Sequence, residues 1–172
     1  ESVRAIVRSA RKLENLVGGR DQLSVVEGNV LDASHAELLS HVSDCDAVAS
    51  CLGHNLSLGG VYGQPRRLVA DTTRRLCEAI RAGDADHATR YVLMNTVGNR
   101  NRDLDESRAL GERALIAVLR ILLPPQADNE DAADYLRTRV GRRDDRIEWV
   151  AVRPDSLTDD EDVSPYGLHA AP

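Results

Sequence analysis

Groups able to do chemistry are few and scattered in this chain. The three cysteines, Cys45, Cys51 and Cys77, are odd in number and contain no Cys-x-x-Cys pair. That argues against both a disulfide framework and a structural zinc site, so no metal centre is expected. Nothing near Cys51 in sequence would lower its pKa, and it reads as a small apolar residue rather than a nucleophile. His54, a single histidine in a loop, reads as solvated. What recurs is position. Arg8-Ser9, Gly28 to Asp32, Cys51-Leu52-Gly53-His54, Asn95-Thr96-Val97-Gly98 and Arg153-Pro154-Asp155-Ser156 each come just after a short apolar run. If those runs are strands of an open parallel sheet, the five segments gather at its carboxyl ends. Loops converge there, and helix N-termini aim their N–H groups at a ligand.

The elements that must position these segments are legible in the patterning. Val3–Val7, Leu23–Val26, Ala47–Ser50, Tyr91–Met94 and Ile147–Val152 are short, β-branched and too continuously apolar for half-exposed hairpin strands. Helical patterns separate them, the sign of an α/β fold with a parallel sheet flanked by helices. Ser34-His35-Ala36-Glu37 has the spacing of a capping box and predicts a helix from Ser34. Ala10 to Val17 predicts a short helix that Gly18-Gly19 ends. The stretch from Pro65 to Gly83 predicts the longest helix, Leu104 to Leu123 another that stops at Pro124-Pro125, and about Asp128 to Val140 a further one running to Gly141. The charge runs Arg142–Arg146 and Asp159–Asp162 read as solvated loops.

Composition bounds what these elements can do. At 172 residues, 42% hydrophobic and 29% charged, one core is expected, burying about 70% of the unfolded surface. A net charge of −6 is a poor match to a phosphate backbone, so nucleic acid is not an expected partner. No apolar run reaches the roughly 18–20 residues of a membrane span, and the first residues do not have the layout of a secretory signal. A cytoplasmic, reducing location fits unpaired cysteines. Lys12 is the only lysine among 22 basic residues, a bias given no functional weight. With no Phe and aromatics at 3%, the core must be built from Val, Leu, Ile and Ala.

Five segments, taken in order, resemble the short-chain dehydrogenase/reductase superfamily, in particular its atypical, NmrA-like and NAD(P)H-binding branches. They are Val3 to Ser9, Val26 to Asp32, Asp46-Ala47-Val48 leading to Gly53, Arg90 to Gly98, and Glu148 to Pro154. The resemblance covers about Val3 to Ser156 and implies a Rossmann-like domain over residues 1–157, followed by a loosely held polar tail, 158–172. It implies a dinucleotide and a small-molecule substrate as partners. Arg8 falls where the family meets the adenosine ribose. A guanidinium there suits a 2′-phosphate bidentately, which favours NADP, with NAD as the alternative. Ser9 is a weaker second at the same place, and Asp32 matches an aspartate beside the adenine amino group. Ser50, Cys51, Leu52 and Gly53 would lie under the central portion of the cofactor, with Gly53 permitting close approach. Asn95 belongs to the segment after the fourth run, and Thr96 takes the place of the Ser or Thr that hydrogen-bonds a substrate carbonyl. Arg153-Pro154 matches the segment against the nicotinamide.

Two departures qualify that likeness. The superfamily's Tyr-x-x-x-Lys unit tunes a phenol for proton transfer through a lysine one helical turn away. Counting back from Arg153-Pro154 places Pro125 and Asn129 at those positions, and Tyr135 is out of register. Such chains also open with a strand and a glycine-rich turn that holds the pyrophosphate. Here the first run resembles the second strand, and the chain reads as an internal fragment of a larger protein. In the usual order 3-2-1-4-5-6 the first strand is central, so its absence would leave the sheet in two halves. The expected activity is hydride transfer to an unknown small molecule. The alternative is a non-catalytic NAD(P)-sensing module of the NmrA type.

Overall fold

The computed structural model describes residues 2–18, 20–54, 57, 59, 62–96, 124–154 and 165–168. Strands and helices alternate: β1 (Val3–Val7), α1 (Ala10–Val17), β2 (Leu23–Glu27), α2 (His35–Val42), β3 (Ala47–Ser50), α3 (Leu68–Ala82), β4 (Thr89–Met94), α4 (Pro124–Tyr135) and β5 (Ile147–Val152). A π-helical turn, Leu136–Val140, extends α4.

Local signals account for most of these boundaries. Ser34 accepts from the Glu37 amide at 3.2 Å while the Glu37 carboxylate accepts from the Ser34 amide at 2.6 Å, the reciprocal box that starts α2. Ser9 caps α1, accepting from the Lys12 amide at 3.4 Å. Gly18 and Gly141 end their helices with φ of 67° and 76°, a region costly for any residue with a Cβ. Two helices begin elsewhere than the patterning predicts. α3 starts at Leu68 rather than near Pro65, and α4 starts at Pro124 rather than Asp128. Proline is tolerated in a first turn, where its missing N–H has no intrahelical partner to lose, so Pro124-Pro125 opens a helix. The helix predicted over Leu104–Leu123 and the run Asp159–Asp162 lie outside the described residues.

The strands pair in parallel, in two sheets: β1 with β2, and β3-β4-β5. Val3 lies opposite Leu23 and Val7 opposite Glu27; in the larger sheet Tyr91 lies opposite both Val48 and Trp149. Within each sheet the order matches a stretch of 3-2-1-4-5-6, with β1-β2 running as places 2 and 3 and β3-β4-β5 as places 4, 5 and 6. Arg4 of β1 donates to the His41 carbonyl at 2.7 Å and pairs with Asp44 at 3.0 Å, which ties β1 to the turn leading into β3.

The core lies where α2, α3 and α4 pack together and onto β4, with Leu38, Val69, Cys77, Tyr91, Leu93 and Leu136 fully buried. Burial pushes the Cys77 thiol up to about 12, which leaves it inert. α1 contributes no buried residue; Leu16 is 83% exposed, and Val3 and Val150 are 58% and 50% exposed. The run Arg142–Arg146 is not simply a solvated loop. Asp144 pairs with Arg81 at 2.6 Å, and Arg146 donates to the carbonyls of Ala85 (2.6 Å) and Gly83, so the run clamps the end of α3 to the start of β5. Nearby, Trp149 Nε1 donates to the Gly141 carbonyl at 2.6 Å. Among the described residues no helix is long and apolar enough to cross a membrane.

Candidate functional site

Two groups of the expected site residues stand at the carboxyl ends of the strands, one on each sheet. On the smaller sheet, Arg8 directly follows β1; it is exposed and makes no hydrogen bond or ion pair among the described residues. Ser9 is engaged as the cap of α1. The Glu27 carboxylate, at the end of β2, accepts from the Ala10 amide at 2.7 Å and so takes up another N–H group of that helix start. Asp32 is exposed and accepts from Asn29 Nδ2 at 2.9 Å. Ser34 being the cap of α2, Asp32 is not needed for that task.

On the larger sheet, Ser50 closes β3. It is 3% exposed, and its Oγ lies beside the Tyr91 phenol without completing a hydrogen bond. Cys51 is exposed, Leu52 half-buried, and a Cβ built on Gly53 would meet no atom of the described residues within 4 Å.

His54 is not solvated. Its side chain is 6% exposed, and Nε2 lies 2.8 Å from Oδ2 of Asp128, whose side chain has no exposure. Asp128 also accepts from the amides of Val69 (2.8 Å, at Oδ2) and Ala70 (2.9 Å, at Oδ1). The helix α3 needs this: Arg67, at its N-cap position, makes no side-chain capping bond. A carboxylate from α4 therefore satisfies the free N–H groups of α3 and meets its positive dipole end.

The same turns of α4 hold the end of β4. Asn95, 6% exposed, donates from Nδ2 to the Asn129 carbonyl at 3.1 Å, and its Oδ1 accepts from the Thr96 amide at 2.8 Å. Its own amide donates to the Val152 carbonyl at 2.8 Å, which links it to β5 just before Arg153-Pro154. Asn129 donates from Nδ2 to the Pro125 carbonyl at 3.0 Å. His54, Asn95, Thr96, Asp128 and Asn129 thus form one connected rim, whereas Arg8 and Asp32 belong to the other sheet. Tyr135, further along α4, packs against the core, and burial raises its phenol. A cavity of about 280 Å³ between Gly141 and Trp149 lies at the start of β5, the opposite end from this rim.

These features fit a dinucleotide. Among the described residues the Arg8 guanidinium after β1 has no partner, nothing stands over Gly28 or Gly53, and the buried Ser50 hydroxyl at the end of β3 makes no hydrogen bond. The arrangement defines a Rossmann-type domain with its ligand edge at the strand carboxyl ends. A model of the NAD(P)H-binding family matches residues 1–171, and the chain belongs to that family. No curated protein matches it by sequence. Among solved structures it is similar to UDP-glucuronic acid 4-epimerase from Bacillus cereus in complex with NAD, at 12% identity and a TM-score of 0.57, over 88% of this chain and 48% of that one. It is also similar to a short-chain dehydrogenase/reductase from Burkholderia vietnamiensis, at 15% identity and a TM-score of 0.53, over 93% of this chain and 74% of that one. At these identities the likeness is one of fold. The chain spans about half the length of the epimerase.

Proposed function

We propose that this chain is the nucleotide-binding part of an NAD(P)-dependent oxidoreductase of the short-chain dehydrogenase/reductase type, acting on a small molecule. The observation that carries this reading is the family match across residues 1–171, laid on strands that keep that fold's order. When bound, the nicotinamide supplies hydride donation or acceptance. Arg8 would meet the 2′-phosphate of NADP and Asp32 the adenine. Ser50 to Gly53 would lie under the central portion, and Asn95, Thr96 and Arg153-Pro154 would line the nicotinamide end with Thr96 toward the substrate carbonyl. Three free thiols suit a cytoplasmic setting.

A second reading, a non-catalytic NAD(P) sensor, is favoured by Pro125 and Asn129 at the places of the tyrosine and lysine. Titration of the full-length protein with NADPH and NADH, followed by nicotinamide fluorescence, tests both. Binding with consumption of the reduced nucleotide by a carbonyl, enone or flavin supports the enzyme; binding alone supports the sensor; no binding discards both. Arg8→Ala should weaken NADPH about tenfold to a hundredfold, the loss of a charge-assisted bidentate contact, and leave NADH within about twofold. Equal loss for both nucleotides would remove the 2′-phosphate assignment.

A further inference from the structure

We infer that His54, held by Asp128, is the proton-exchanging side chain of the rim described above, in a chain whose Tyr-x-x-x-Lys positions carry Pro125 and Asn129. The inference rests on the dinucleotide reading and adds to it the group that moves the proton.

The geometry assigns the ring's hydrogens. Both oxygens of Asp128 already accept from backbone N–H groups, those of Val69 and Ala70. The carboxylate is an acceptor on every side, so toward the imidazole it accepts as well, and Nε2 carries the hydrogen it receives at 2.8 Å. In the neutral ring Nδ1 is then the basic atom. It makes no hydrogen bond among the described residues and is not among their sealed, unpartnered atoms. A carboxylate that fixes one nitrogen of a largely buried ring, while the other makes no bond among the described residues, is the arrangement that orients an imidazole for proton transfer.

Position points the same way. His54 lies four residues beyond β3, at the ligand edge of the sheet. Asp128 immediately precedes Asn129, whose carbonyl anchors Asn95 beside Thr96. A merely structural contact would serve as well from any donor of similar length. The pair here joins the loop after β3 to the turn of α4 that also holds the end of β4. In the alcohol-to-carbonyl direction the substrate carbon would give up a hydride to a bound dinucleotide, which supplies the hydride chemistry. The substrate oxygen gives a proton to Nδ1, turning the neutral ring into imidazolium; the reverse direction returns both.

The test uses full-length protein labelled with 15N-histidine, long-range 1H–15N spectra and NADPH as the probe. The chain's five histidines are told apart by the signals lost in His54→Gln. We expect the Nε2–H form of His54 in the free protein, ring signals that move saturably with NADPH at the midpoint found by calorimetry, and loss of that single tautomer in Asp128→Asn. His54→Gln, which keeps a donor toward Asp128, should retain the far-UV circular dichroism spectrum and bind NADPH within about twofold of the parent. An Nδ1–H ring, or His54 signals unmoved by NADPH that binds, would overturn the assignment and leave the dinucleotide reading standing. A tenfold loss of NADPH affinity in a folded His54→Gln would reduce His54 to a strut and overturn it too. Absence of NADPH binding by the parent protein would remove both.

Discussion

Single residues carry more of this molecule than their local sequence shows. Asp144 sits in a charged stretch that reads as a surface loop, yet its carboxylate joins Arg81 to the amides of Arg146 and Ile147. Burial alone would raise its pKa. The guanidinium and the two N–H groups outweigh burial and hold it below the usual carboxylate range. A depressed pKa in the folded state adds stability that is complete above the unfolded value, near 3.9, and is lost as pH falls through the folded value. Asp144→Asn should therefore cost about 1.5–3 kcal/mol at pH 7, the usual loss for hydrogen bonds to a charged group. In urea unfolding the gap between parent and variant should close below about pH 4; a gap constant with pH would refute the linkage. The His54–Asp128 pair escaped the sequence reading for a similar reason. Its members are 74 residues apart, and neither is flanked by residues that hint at the other.

At the scale of elements, chain-local signals are legible in the sequence and long-range ones are not. The five apolar runs became strands with at most two residues' difference at an end, because a short run of branched residues has few other ways to bury itself. The capping box at Ser34 holds as its spacing predicts. Ser34→Ala should cost about 1 kcal/mol, measured as a lower urea midpoint with an unchanged slope; an unaltered midpoint would mean that packing of Leu38 and Val42 alone fixes α2. By contrast, the start of α3 is capped by a carboxylate from another helix, and no pattern within its own sequence announces that. The site divides in the same way. That Arg8, Cys51 and Asn95 directly follow strands is legible in the sequence, whereas the contacts that join His54 and Asn95 to α4 are not.

For the molecule as a whole, the governing feature is the division of the strands into a pair and a triplet. Among the described residues β4 has a neighbour on both sides, whereas β1 and β3 each have one. Backbone groups on an unpaired edge are satisfied by solvent and open more readily. Hydrogen exchange should therefore show β4 amides protected at least tenfold more than those of β1 and β3. Equal protection across the three strands would indicate that something covers those edges in solution.

The lone tryptophan of the chain turns this division into an optical readout. Trp149 is anchored on Gly141 within the triplet, so its emission reports melting there and is silent about β1 and β2, while circular dichroism at peptide wavelengths registers every helix and strand. Coincident denaturation curves from the two signals would reveal one cooperative unit. Separated curves would reveal two, with Arg8 and Asp32, the residues proposed to meet the adenosine, on the one that the indole does not sense.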